Sequence, residues 1–326
     1  MGGMAATLRP GTGTLVRVPA SSSPSPKRRG RGLRVLAAFV VLLGIAGYVA
    51  TQYVMGGAGP ARCTVRAPEG GDGEKTVEYK VHPAQAANAA TIEAVASSRR
   101  LPERAVTIAL ATAMQESGLR NISYGDRDSL GLFQQRPSQG WGTQKQILDP
   151  VYSAGKFYDG LVKVPGYSRL PLTVAAQKVQ LSGFPQAYAK HETNAALLTS
   201  ALTGRRAAAL NCTTGPGGVD RAGDPAEVRE KLRREFGDEV LAGAGTAPAG
   251  GRSKPPTEDL SIPADGGQRG WELAHWAVAH AADLRIARIS YGDQVWSADR
   301  SEEGWHTSDE SPSDGSAVVL RLATAP

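Results

Sequence analysis

From Val35 to Met55 the chain runs for 21 residues without a charge, and no other stretch limits its architecture so much. At about 1.5 Å per helical residue the run reaches roughly 31 Å, close to one hydrocarbon thickness of a bilayer. Arg9, Arg17, Lys27, Arg28, Arg29, Arg31 and Arg34 precede it with no acid among them, whereas only Arg62 follows closely. The positive-inside rule then places residues 1–34 in the cytoplasm and everything after about residue 56 outside the cell membrane. Tyr48 and Tyr53 stand near the outer end, where amphipathic rings favour the interface. The sequence thus predicts a single-pass protein held in the lipid bilayer by residues 35–55, with a disordered basic tail and extracytoplasmic domains. A cleaved signal peptide, with Gly56-Gly57-Ala58 as the cleavage site, is the competing reading. The long polar lead and the long apolar run favour the uncleaved anchor. A single span without an ionisable residue argues against a transporter or channel.

Charge placement narrows the partners. The chain as a whole carries +6, but the seven tail cations leave 30 basic and 31 acidic residues over the other 292. Nucleic acid is therefore not an expected partner. Residues 61–210 hold 18 basic and 12 acidic groups, while residues 213–326 hold 12 and 19. The positive sign of the first part suits an anionic polymer. Only two cysteines occur, Cys63 and Cys212, both on the external side of the span. An oxidising compartment favours their pairing over two free thiols, and closing so long a loop contributes at most roughly 4–5 kcal/mol, the upper estimate of the chain-entropy model.

Helical patterns fill the stretch between the cysteines. They are expected at Ala84–Arg99, from Pro102 to Gly118, and at Pro150–Val162, Leu172–Leu181 and Glu192–Leu202, with a short strand around Thr76–Val81. Residues 119–143 read as loop and short extended pieces. Asp224-Pro225-Ala226-Glu227 is a helix start, with Asp as N-cap and Pro in the first turn. After a Gly- and Pro-rich stretch at 242–268, a helix around Trp271–Ala277, a hairpin at Ile286–Tyr291 and Val295–Ser297, and a strand at Ala317–Leu322 are expected. The predicted fold class is mainly α. A helical domain spans 56–212, a linker with a short helix at 224–240 spans 213–268, and a small α/β module spans 269–326.

Glu116 is the candidate for chemistry. It ends an otherwise apolar helix in Ala113-Met114-Gln115-Glu116-Ser117-Gly118. The negative end of the helix dipole and apolar neighbours both favour the neutral acid. A raised pKa is what a general acid needs to protonate a leaving oxygen near neutral pH. Taken alone, a solvated glutamate at a helix end explains the position equally well.

Fifteen residues further on comes Gly131-Leu132-Phe133-Gln134-Gln135. A Glu-Ser closing a helix, followed by Gly-Leu-Phe-Gln, resembles the lysozyme-like superfamily of lytic transglycosylases and muramidases. The similarity continues through Asp149-Pro150, Ala154-Gly155-Lys156-Phe157-Tyr158 and Leu172-Thr173-Val174-Ala175-Ala176, and covers about residues 84–205. It implies a lysozyme-like helical domain that cleaves the β-1,4 bond between N-acetylmuramic acid and N-acetylglucosamine in peptidoglycan glycan strands, with no cofactor. By the same resemblance Glu116 is the acid/base, Ser117 orients it and Gln134 lines the cleft, with Gln135, Asp126 and Trp141 as further candidates for substrate binding. The family's Ala-Tyr-Asn-Ala-Gly motif, whose tyrosine faces the acid, is replaced here by Ala176-Gln177-Lys178-Val179-Gln180. Gln177 or Tyr188 must then take the tyrosine's place.

A hydrolase needs a second carboxylate about 5–9.5 Å from the first. Asp126 and Asp128 are the candidates, although Gly-Asp-Arg-Asp-Ser is also ordinary turn chemistry. A transglycosylase needs only one acid/base. His82, His191, His275, His280 and His306 show no metal-ligand spacing, so no metal is expected. The C-terminal piece resembles a small domain appended to bacterial wall hydrolases, without the His-x-His that fuller versions carry. Two readings follow: a membrane-anchored, glycan-cleaving enzyme, or a non-catalytic wall-binding scaffold that reuses the fold.

Overall fold

The computed structural model describes residues 36–47, 60–67, 77–215, 221–243, 259–308 and 314–324. The chain divides into two units, Met1–Met55 and Gly56–Pro326. In the first unit, residues 36–47 form a helix, α1, whose large apolar side chains, Leu36 and Phe39 among them, are exposed. The basic tail and the rest of the apolar run lie outside the described residues. Among the described residues no helix is long and apolar enough to cross a membrane.

The second unit opens on a three-stranded antiparallel sheet of β1 (Cys63–Arg66), β2 (Glu78–Val81) and β3 (Leu210–Cys212), in the order β2-β1-β3. Cys63 and Cys212 stand directly opposite each other in the β1–β3 register, and a disulfide joins them across 149 residues of sequence. The expected pairing is present, and the sheet explains how its two ends meet.

Between these strands lie α2 (Pro83–Ser98), α3 (Glu103–Ser117), α4 (Gln144–Ile147), α5 (Pro150–Leu161), α6 (Leu172–Gln180) and α7 (Glu192–Leu202), with a 3₁₀ helix at Pro185–His191. Local chemistry sets the ends. His82 and Gln85 form a reciprocal capping box at α2, Thr143 and Gln146 another at α4, and Asp149 accepts the Val151 N–H at the start of α5. The alanine-rich α2 is buried on almost every face because α3, α5, α8 and α9 all pack on it. That burial explains its lack of an apolar stripe, since a helix surrounded by protein needs none.

The C-terminal part adds α8 (Pro225–Phe236), a 3₁₀ turn at Asp238–Leu241, β4 (Leu260–Pro263), α9 (Gly267–Ala279) and α10 (Ala281–Leu284). Four more strands follow: β5 (Ile286–Tyr291), β6 (Gln294–Ser297), β7 (His306–Thr307) and β8 (Ala317–Leu322). They form an antiparallel sheet ordered β4-β8-β5-β6-β7. α9 packs on β5 and β8, and also on α2, α7 and β3. His275 links the two parts: one ring nitrogen meets the Ala201 carbonyl at 2.7 Å and the other accepts the Ala209 N–H at 3.1 Å. Trp305 donates to the Leu210 carbonyl at 2.9 Å. A single buried apolar core runs through residues 63–322.

The architecture is mixed α/β, with helices and two small antiparallel sheets. The mainly α expectation overlooked β1, β3 and β4, each only three or four residues long and set next to Gly- or Pro-rich sequence. The short α4, within Gln144–Ile147, was overlooked as well. Residues 216–220 and 244–258 of the expected linker lie outside the described residues, as does Thr76 at the start of the expected first strand.

Candidate active site

The end of α3 builds the site. Gly118 takes φ 64°, the left-handed conformation that glycine adopts without strain, and the N–H groups of Gly118 and Leu119 return to the carbonyls of Met114 and Ala113. Glu116 is thereby fixed in the last turn. Ser117 Oγ donates to the Leu132 carbonyl (2.8 Å), with the Ala113 carbonyl as a second acceptor (3.1 Å), and accepts the Arg120 N–H at 3.1 Å. Ser117 therefore ties the Gly-Leu-Phe-Gln turn to the helix end and makes no hydrogen bond to Glu116.

That turn is held from its other side as well. Gly131 has φ 74°, and a Cβ there would lie 2.7 Å from the Ile147 carbonyl, so only glycine fits. Phe133 is buried and stacks on Phe157 with ring centroids 4.7 Å apart. The Phe133 carbonyl accepts the Gln180 side-chain N–H at 2.7 Å, which draws the end of α6 beside the turn.

The phenol of Tyr188 donates to Glu116 Oε1 at 2.7 Å. Tyr188 rides on the 3₁₀ helix Pro185–His191 and is itself buried. Gln177, the other candidate for that role, instead donates to the Ser182 carbonyl at 2.9 Å and braces the loop leading to Tyr188. Burial pushes the Glu116 carboxyl above its ordinary range, and hydrogen bonds from Tyr188 and Gln180 offset part of the rise. The negative end of α3 acts in the same direction as burial. Burial, and then the charge of Glu116, raise the Tyr188 phenol, so it stays protonated as the donor. The result is one half-buried carboxyl with increased proton affinity and a fixed orientation.

The remaining candidates fall in different places. Gln134 has φ 47° and its amide N–H faces the carbonyls of Tyr124 (3.4 Å) and Gly131 (3.3 Å), so it closes the loop on itself. Gln135 is buried in the core and donates to the Ser153 carbonyl of α5 at 3.0 Å; it is out of a ligand's reach. Asp126 faces solvent beside Arg127. Asp128 accepts from Arg136 Nε and from the Ser138 backbone N–H, both at 2.8 Å, and these bonds, Arg136 foremost, hold its carboxyl far below the usual range. Neither aspartate contacts Glu116. Trp141, a candidate for substrate binding, packs half-buried against the core, and its carbonyl accepts from Tyr152 Oη at 3.2 Å. Among the described residues of the second unit, Tyr124 and Phe184 are strongly exposed rings, at 68% and 78%.

Two features escaped the sequence. Gln180 beside Glu116 carried no local signal. Glu235 sits one position off the Val228-Leu232-Phe236 stripe of α8 and yet is 2% exposed. No group of three or more His, Cys, Asp or Glu residues among the described residues is arranged to hold a metal ion.

Residues 226–317, from the first turn of α8 to the start of β8, match the family model described as VldE, C-terminal domain. The match covers less than a third of the chain and does not include Glu116. No curated protein matches the chain.

Proposed function

We propose that this protein is a membrane-anchored enzyme that cleaves peptidoglycan glycan strands in the manner of a lytic transglycosylase, with Glu116 as its single general acid/base. In this reading the helical part of residues 56–212 is a lysozyme-like domain. Residues 35–55 hold it to the outer side of the membrane, and residues 1–34 remain in the cytoplasm. The observation that carries the proposal is the half-buried Glu116 carboxyl, raised in pKa and hydrogen-bonded by Tyr188. Such a group holds its proton more tightly than an ordinary carboxyl and is placed to deliver it to the glycosidic oxygen as the bond breaks. The substrate's own acetamido group stabilises the sugar carbon left behind. The Glu116 carboxylate then takes the proton from the sugar's 6-hydroxyl as that oxygen closes the 1,6-anhydro ring.

Transglycosylation is favoured over hydrolysis because Asp128 is committed to Arg136 and Ser138 and Asp126 is turned to solvent. Mass analysis of sugars released from purified wall material tests the choice. Products ending in 1,6-anhydro sugars, released equally well by Asp126→Asn, support the proposal. Reducing-end products that vanish in Asp126→Asn point to hydrolysis. The departure from the family's tyrosine motif favours one other reading, a wall-binding scaffold without activity, and binding without any sugar release would establish it.

A further inference from the structure

A cavity of about 960 Å³ lies between α2, the start of α5, α8 and the α9–α10 corner. Glu116 is not part of its wall. Such a volume falls in the range of small-molecule sites. At the floor, the Glu235 carboxylate accepts from Thr91 Oγ1 (2.9 Å) and Trp276 Nε1 (2.7 Å) and pairs with Lys231 Nζ (2.8 Å). Beside it stands His280, 1% exposed, its Nε2 3.6 Å from Glu235 Oε2 and so beyond hydrogen-bond reach. Neither ring nitrogen of His280 has a hydrogen-bond partner among the described residues. A neutral imidazole offers one donor and one acceptor, and buried polar groups rarely go unmet. A ligand in the cavity would supply what the protein withholds.

The wall carries an acidic excess. Arg234 is paired with Asp149 at 2.7 Å and Lys231 with Glu235, while Arg120, whose Nε donates to the neutral Ser117 carbonyl, keeps its charge and stands as one cation against three further acids. Glu227, Glu230 and Asp283 also line the cavity, and no cation pairs with their carboxylates among the described residues. An anion meets repulsion here, and a purely apolar molecule leaves the imidazole unmet.

We propose that the cavity binds a small organic cation, a polar molecule bearing a primary amine, with its ammonium among Glu227, Glu230 and Asp283 and a hydroxyl or N–H on His280. The site is separate from Glu116 and does not depend on the glycan-cleaving reading. The test is ligand-observed NMR on the full chain with 1,4-diaminobutane, lysine amide and glucosamine as cationic probes. Uncharged N-acetylglucosamine and inorganic phosphate are the controls. At least one amine should bind, with neither control matching it. The exposed-acid variant Glu227→Gln/Glu230→Gln/Asp283→Asn should keep the parent's melting temperature and weaken binding by about tenfold or more, the loss expected for charge-assisted hydrogen bonds. Glu116→Gln should bind the amine as the parent does, which separates this cavity from the glycan site. The proposal fails if none of the three amines binds, if the triple variant binds as tightly as the parent, or if either control binds as well as the amines.

Discussion

Tyr188 lies 72 residues from Glu116 in sequence and 2.7 Å from it in space, and that contact offsets part of the rise in proton affinity that burial gives the carboxyl. A phenol that donates to a carboxylate stabilises the charged form, so its bond lowers the Glu116 pKa against the rise caused by burial. Tyr188→Phe removes the donor while keeping the ring. The Glu116 pKa should then rise, and the alkaline limb of the pH–rate profile for glycan release should move to higher pH. An alkaline limb that stays in place or moves down would show that Tyr188 does not govern the acid. Glu116 was legible because it closes an apolar helix just ahead of Ser117 and Gly118. Tyr188 was visible only as one of two substitutes for a missing motif, since nothing local reveals which side chain a loop folds back upon. Gln135 misled for a related reason: neighbours in a turn point opposite ways, and it faces α5 in the core.

The polar seam between α2, α8 and α9 holds two carboxyls with opposite titration behaviour. Glu93 on α2 is almost fully buried, and burial first, then the charge of Glu272, raise it well above the usual carboxyl range. Its stabilising contribution is complete below the ordinary value of 4.5 and is lost as pH rises through the folded value. Glu235 on α8 is pushed up by burial, but His280 and Lys231 outweigh that and hold it at about 2. Its contribution is present above 4.5 and is lost as pH falls toward about 2. Thermal melts across pH should therefore show Glu93→Gln stabilised against the parent on the alkaline side, and Glu235→Gln losing the parent's acid-side decline. At neutral pH Glu235→Ala should cost about 3 kcal/mol, because Trp276 and Lys231 lose their shared acceptor. Melting curves that run parallel to the parent's at all pH values would contradict both assignments. The start of α8 was legible from its cap, Asp224 followed by Pro225, which is written in adjacent residues. The seam was not, because a buried glutamate on a helix looks like a solvated one until the partner helices are in place.

Across the whole second unit, the disulfide and the α9 interface tie distant parts of the chain together. Cys63 and Cys212 close a long loop, and Cys63→Ala/Cys212→Ala should destabilise the protein by roughly 2–4 kcal/mol, read from chemical denaturation; an unchanged midpoint would contradict that. Truncation after residue 215 removes α8 and α9 and strips the cover from α2, so the shortened chain should lose its cooperative transition; a sharp two-state melt would show instead that the helical part needs no cover. The pairing of the cysteines was readable from their number and position, whereas the shared core was hidden behind a Gly- and Pro-rich stretch that looks like a boundary. For the molecule's activity, one comparison is most direct: sugar release from purified wall material by the parent and by Glu116→Gln at equal concentration. Glu116→Gln keeps size and hydrogen bonding but has no proton to transfer, and general acid catalysis contributes about 10²–10⁴-fold. The parent should release 1,6-anhydro-ended sugars, and Glu116→Gln should fall by a factor near the upper end of that range with its melting temperature unchanged. Equal release by the two proteins would contradict the assignment of Glu116 as the catalytic acid.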